Sequence, residues 1–84
     1  MMFRAQIIVT LRSSILDPQG TAVLKTLKSM SYLVEDVRVG KFMEMTLSAD
    51  SIEDAELKAN EICNKFLVNT VIEDYTLQLQ QLEG

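Results

Sequence analysis

Histidine and tryptophan are absent from the chain, and cysteine and proline occur once each. Without histidine, a serine or cysteine nucleophile lacks its usual base. A structural zinc site lacks a common ligand for the same reason. Acid–base work would fall to Asp, Glu, Lys or Tyr. Cys63 stands alone, so no internal disulfide can form, and an unpaired cysteine agrees with a cytoplasmic setting. No apolar run reaches the roughly 18 residues of a membrane span. The opening stretch Met1-Met2-Phe3-Arg4-Ala5-Gln6 lacks the apolar core of a signal peptide. A net charge of −4 opposes nucleic-acid binding through counterion release.

The chain has 84 residues, which suits a single domain over 1–84. Such a domain buries only roughly 60–65% of its unfolded surface, so self-association is a natural source of further stability.

Phe3, Ala5, Ile7, Val9 and Leu11 alternate with Arg4, Gln6, Thr10 and Arg12, which predicts a strand with one buried face. Ile8 interrupts its polar side. Asp17-Pro18 then reads as a helix cap with proline in the first turn. Val23, Leu27 and Met30 carry the helix from about Pro18 to about Met30. Val37 and Val39, then Met43, Met45 and Leu47, mark two strands over Val34–Ala49, with Gly40-Lys41 as a tight turn. Asp50 and Glu53 resemble a capping box. Ile52, Ala55, Ala59, Ile62 and Phe66 place one apolar face on a second helix ending near Asn69. Asp54–Lys58 and Glu61–Lys65 are favourable i,i+4 pairs on its solvated side. Val71, Tyr75, Leu77 and Leu79 mark a last strand, with Gln80–Gly84 as a tail.

The expected order is β-α-β-β-α-β. The expected fold class is therefore α+β: a ferredoxin-like antiparallel sheet with both helices on one face. Met30, Met43, Met45 and Cys63 are expected in the core.

The chemistry-bearing motifs of this fold are missing. There is no Cys-x-x-Cys for a metal and no glycine-rich phosphate loop. Aromatics that would stack RNA bases are lacking on the central strands. The acid pairs Glu35-Asp36, Glu53-Asp54 and Glu73-Asp74 each have an ordinary structural reading, because neighbouring residues on a strand point to opposite faces and acids favour a helix N-terminus. Ile8, Phe42 and Ile72 fall on the strand side away from the helices and form an apolar centre on a polar face, a candidate self-association surface.

Four stretches then point to one family. They are Val9-Thr10-Leu11-Arg12, Ile15-Leu16-Asp17-Pro18-Gln19-Gly20, Val34-Glu35-Asp36-Val37-Arg38-Val39-Gly40-Lys41, and Asn69 through Val71-Ile72-Glu73-Asp74-Tyr75. Together they resemble PurS, the small subunit of phosphoribosylformylglycinamidine synthase, over nearly the whole chain. The resemblance implies a non-catalytic subunit in the fourth step of de novo purine (IMP) synthesis. It implies two partners: a glutaminase subunit that releases ammonia, and a large synthetase subunit that uses ATP and Mg to activate the amide oxygen of formylglycinamide ribonucleotide. The chain would bring them together and assist ammonia transfer. It would carry no catalytic residue, cofactor or metal of its own and would form a dimer or dimer of dimers. Arg12, Asp17, Gln19, Arg38 and Lys41, the polar members of these stretches, are the candidate partner contacts. Ser13-Ser14 stands where the family often has a Pro-Gly pair, at a cost of roughly several tenths of a kcal/mol through the unfolded state.

Two other classes use a fold of this kind. A small-molecule-sensing regulatory domain of ferredoxin-like type would bind ligand at an interface loop after the first strand, usually with glycine where Ser13-Ser14 stands. An acylphosphatase-like hydrolase would need an arginine-bearing, glycine-rich first loop, which is missing.

Overall fold

The period-two alternation near the N-terminus produces the central strand, β1 (Met2–Leu11). A computed structural model describes residues 1–82. Helix α1 spans Pro18–Ser29, β2 Lys41–Ser48, α2 Ile52–Ile62 and β3 Glu73–Leu82. The sheet order is β2-β1-β3, antiparallel on both sides. Phe3, Ala5, Ile7 and Val9 point to one face and are fully buried. The register sets Leu47, Met45 and Met43 beside Phe3, Ala5 and Ile7, with Leu79, Leu77 and Tyr75 on the other flank. This apolar face is covered by α2, whose Ala55 and Ala59 are small enough for close approach.

The α+β class with an antiparallel sheet and two helices stands, in the order β-α-β-α-β. Several details depart from expectation. The strand expected over Val34–Val39 does not pair, so the sheet has three strands among the described residues. Gly40 explains this. A two-residue hairpin turn needs positive φ, and Gly40 does not adopt it. Gly40 instead lies against β1, where a Cβ would stand 2.5 Å from the Val9 carbonyl oxygen. Its small size serves close approach, and the chain passes the sheet end without reversing.

The second departure concerns α1, which makes no extensive contact with any strand or with α2. Met30, expected in the core, is 60% exposed. Helix α1 and the return segment 30–40 form an arm beyond the end of the sheet. The lengths agree: a ten-residue strand spans about 34 Å and a twelve-residue helix about 18 Å, and the long axis of the molecule is 51 Å. The radius of gyration is 16.5 Å, against about 12 Å for a compact chain of this length.

The second helix differs in phase. Its cap is Ser51, whose Oγ accepts from the Asp54 N–H, while Asp54 Oδ2 accepts from the Asp50 N–H. The capping box therefore lies one residue beyond Asp50/Glu53. After Ile62 a wide π turn, Cys63–Leu67, closes with Val68 N–H donating to the Cys63 carbonyl over 2.9 Å. Ala55, Ala59 and Cys63 recur every four residues and face the core. The wide turn that begins at Cys63 carries Phe66 out to 80% exposure. Gln80–Leu82, expected to fray, belong to β3. The last two tail residues lie outside the described part.

Candidate functional site

The sequence-derived contact residues converge at one end of the sheet, where β1 and the starts of β2 and β3 meet the base of the arm. Asp17 is the joint. It caps α1, its Oδ1 accepting from the Gly20 N–H at 3.0 Å, and its Oδ2 accepts from the Val39 N–H at 2.8 Å. It is only 7% exposed. These two backbone donors, Val39 foremost and Gly20 next, hold its carboxyl below the ordinary range by stabilising the charged form. One side chain thus ties the outgoing helix to the return segment. Gly20 completes the joint, because a Cβ there would run into the Val37 carbonyl oxygen.

Arginines and an ion pair brace this joint. Arg38 donates to the carbonyls of Leu11 and Arg12. Arg12 donates to the Thr70 carbonyl and lies 3.6 Å from Asp74. Lys41 Nζ lies 3.3 Å from Glu73 Oε2. Glu73 Oε1 accepts from the Asn69 N–H at 2.8 Å, and that bond, then Lys41, lowers the Glu73 pKa. Asp17, Gln19, Lys41 and Glu73, with Val9 and Leu11, border a cleft of about 250 Å³. Of the five residues chosen from sequence, four are engaged in the joint, and Gln19 is exposed at its rim. Glu73 is the member that sequence reasoning missed. Its pairing with Lys41 depends on the register of two non-neighbouring strands, which no local spacing reveals.

The opposite sheet face is polar around the centre, with the apolar pair Met2 and Leu82 at one end and a second apolar pair farther along. Ile8 and Phe42 are direct cross-strand partners, exposed by 50% and 57%. Arg4 and Glu44 pair beside them at 3.6 Å. Ile72 is not part of this pair. Its carbonyl accepts from the Arg12 N–H, just past the end of β1 and four residues beyond Ile8.

On the helix side, Cys63 is buried and its thiol pKa is raised by desolvation, as for a core residue. The pairs Asp54–Lys58 and Glu61–Lys65 form at 3.1 and 2.8 Å. Among the described residues no group of three or more Cys, Asp or Glu could hold a metal ion. No helix among them is long and apolar enough to cross a membrane.

With this geometry in place, comparison with known proteins is direct. Residues 4–81 match the PurS family, described as phosphoribosylformylglycinamidine (FGAM) synthase. The PurS subunit of Bacillus subtilis (strain 168) is 45% identical over 82 residues, covering 96% of each chain. The structure of Thermus thermophilus PurS superposes with a TM-score of 0.84 at 39% identity, covering 99% of this chain and 100% of that one. The PurLQS structure from Thermotoga maritima contains a chain with a TM-score of 0.87 at 28% identity, covering 95% and 99%.

Proposed function

This chain belongs to the PurS family, and from that premise we propose that it is the non-catalytic assembly subunit of phosphoribosylformylglycinamidine synthase, a ligase of purine biosynthesis. It joins the glutaminase and the ATP-dependent synthetase subunits in the cytoplasm and assists the passage of ammonia between them. The observation that carries this reading is the match over nearly the full chain to a family with a member in a PurLQS assembly. The chemistry, with its ATP, Mg and glutamine, lies on the partner subunits.

The geometry suits a part that works through surfaces. The rim of the joint, with Arg12, Gln19, Arg38 and Lys41, docks the partner subunits, and Asp17 holds that rim in shape from below. The open sheet face associates with a second copy around Ile8 and Phe42. Ile72 contributes from the edge.

Reconstitution tests the proposal. Synthetase and glutaminase subunits are mixed with glutamine and ATP, with and without this chain. Formylglycinamidine ribonucleotide should form at a substantial rate only in its presence. Equal rates in both mixtures would sink the assembly role.

A further inference from the structure

The outer edge of the sheet is an unfinished strand. β3 pairs with β1 on one side, and among the described residues no strand pairs with its other side. Arg12 N–H donates to the Ile72 carbonyl just beyond the last paired residues, Leu11 and Glu73. That bond sets the alternation of the antiparallel ladder, in which even-numbered residues of β3 bond to β1. The N–H and C=O groups of Tyr75, Leu77, Leu79 and Gln81 therefore point outward from the sheet.

Soluble proteins blunt such edges with lysine, proline, a bulge or a short strand. β3 uses none of these. It is ten residues long, holds no Lys, Arg or Pro, and keeps one unbroken register with β1. Its two acids, Glu73 and Asp74, stand at one end, where Lys41 and Arg12 meet them. From Tyr75 to Leu82 it carries no charge. The β2 edge differs, being eight residues long and carrying Lys41 and Glu44.

Side chains at the same outward-bonding positions floor a groove. Tyr75, Leu77 and Leu79 lie along it, and Ile52, Glu56 and Asn60 of α2 wall it, around a volume of about 530 Å³. Tyr75 Oη donates to Asn60 Oδ1 at 2.6 Å, and Asn60 Nδ2 donates to the Glu56 carbonyl at 3.0 Å. The Glu56 carboxylate is different. It is exposed, and among the described residues it has no cation partner, whereas Asp54 and Glu61 of the same helix pair with Lys58 and Lys65.

A strand added about 4.8 Å beyond β3 sets the residues opposite Tyr75, Leu77 and Leu79 on the groove side. Apolar side chains there extend the floor beside Ile52. A basic one between them lays its apolar stem on that floor and brings its charge to Glu56. A second copy does not offer this pattern. Its β3 presents Tyr75, Leu77 and Leu79 again, without a cation, and brings two acidic α2 helices side by side. In β2 the odd-numbered residues bond to β1, as the Ala49 N–H to the Met1 carbonyl shows. A β2 edge therefore presents Phe42, Glu44 and Thr46, again without a cation.

We propose that the open edge of β3 docks an extended segment of another protein, which pairs its main chain with Tyr75, Leu77, Leu79 and Gln81 and reaches Glu56 with an arginine or lysine. Hydrogen bonds along the edge supply affinity, and the acid beside an apolar floor selects the segment. The proposal goes beyond the assembly reading and holds whichever protein supplies the segment.

A synthetic peptide tests it: Thr-Val-Thr-Arg-Thr-Val-Thr, capped at both ends, whose Val-Arg-Val face matches the groove. Binding to the full chain is followed by NMR titration and amide hydrogen exchange, with circular dichroism to verify folding of each variant. The peptide should slow exchange at Tyr75, Leu77, Leu79 and Gln81 and leave the β2 amides unchanged. Methylation of the Val, Arg and Val backbone nitrogens should weaken binding by roughly thirtyfold, the effect of losing two or more hydrogen bonds. Glutamate in place of the peptide's arginine should weaken it by roughly tenfold, as should Glu56→Lys with the parent peptide. Glu56→Lys should recover binding of the glutamate peptide. No protection at millimolar peptide, equal binding of the methylated peptide, or indifference to Glu56→Lys each overturns the proposal. So does exchange at the four amides that slows as the protein is concentrated without peptide, because a second copy then occupies the edge.

Discussion

The body and the arm of this molecule are held by different physics. The body is three paired strands and α2, joined by apolar side chains such as Phe3, Ile7 and Val9 with no exposed surface. The arm has no comparable core. Apart from Gly20 its helix is exposed or half-buried, and Leu33 near its tip is fully solvated. What directs it is polar: two hydrogen bonds to Asp17 and a bracing set of arginine–carbonyl contacts. Apolar burial is non-directional and supplies bulk stability. Hydrogen bonds depend on geometry and suit a joint that must point an element away from the body.

The sharpest way to break the contrast is to remove one apolar residue from each region. Phe3→Ala should cost about 3–5 kcal/mol by urea denaturation, through lost burial and a cavity. Leu33→Ala should cost less than about 0.5 kcal/mol in the isolated monomer. Equal losses would show that the arm shares the body's core.

Gly20→Ala comes next in size. In a solvated helix this change stabilises by about 1 kcal/mol. Here the added Cβ meets the Val37 backbone, so a destabilisation of about 1–3 kcal/mol is expected in denaturation. A stabilised variant would mean that helix and return segment are not held together.

Asp17→Ala removes both hydrogen bonds of the joint. Losing a helix cap lowers the melting temperature of a domain this small by roughly 4–8 °C. Hydrogen exchange should quicken at Gly20 and Val39 while the β1 amides keep their protection. Uniform quickening across β1 would show that the joint and the body open as one unit.

The smallest effect is in pH. The carboxyls of Asp17 and Glu73 have pKa values lowered by folding. Their stabilisation is complete above the ordinary carboxylate values, about pH 4–4.3, and is lost as pH falls through the lowered folded values. Thermal melts from pH 6 to pH 2.5 should show this loss in the parent and a smaller one in Asp17→Asn. Identical slopes would remove Asp17 from the linkage.

Legibility followed the range of the interactions involved. The strand from Phe3 to Leu11 and the last strand were readable because period-two alternation reports directly on a half-buried sheet. Helix α1 was readable in extent, since Asp17-Pro18 caps it locally. Its placement was not, because an apolar stripe at Val23, Leu27 and Met30 says only that something should cover it. Gly40 could be read as a turn or as a close approach, and only the proximity of β1 decides between them. The wide turn after Ile62 was not readable, because Phe66 continues the three–four spacing of the α-helix before it. The candidate partner residues converge at one end of the sheet, yet their mutual bonds come from chain segments up to 58 positions apart.

Sequence alone settled what can be read from neighbours within a few residues: strand alternation, the Asp17 cap of α1, i,i+4 ion pairs and the lack of histidine. The motifs at Leu16-Asp17-Pro18-Gln19-Gly20 and Val34–Lys41 pointed to the family for a similar reason, being short continuous stretches. Tertiary structure decided where α1 points, that Val34–Val39 stays unpaired, and that Lys41 meets Glu73. Those outcomes depend on groups brought together from distant positions, where register and close approach select among packings that the local pattern leaves equal.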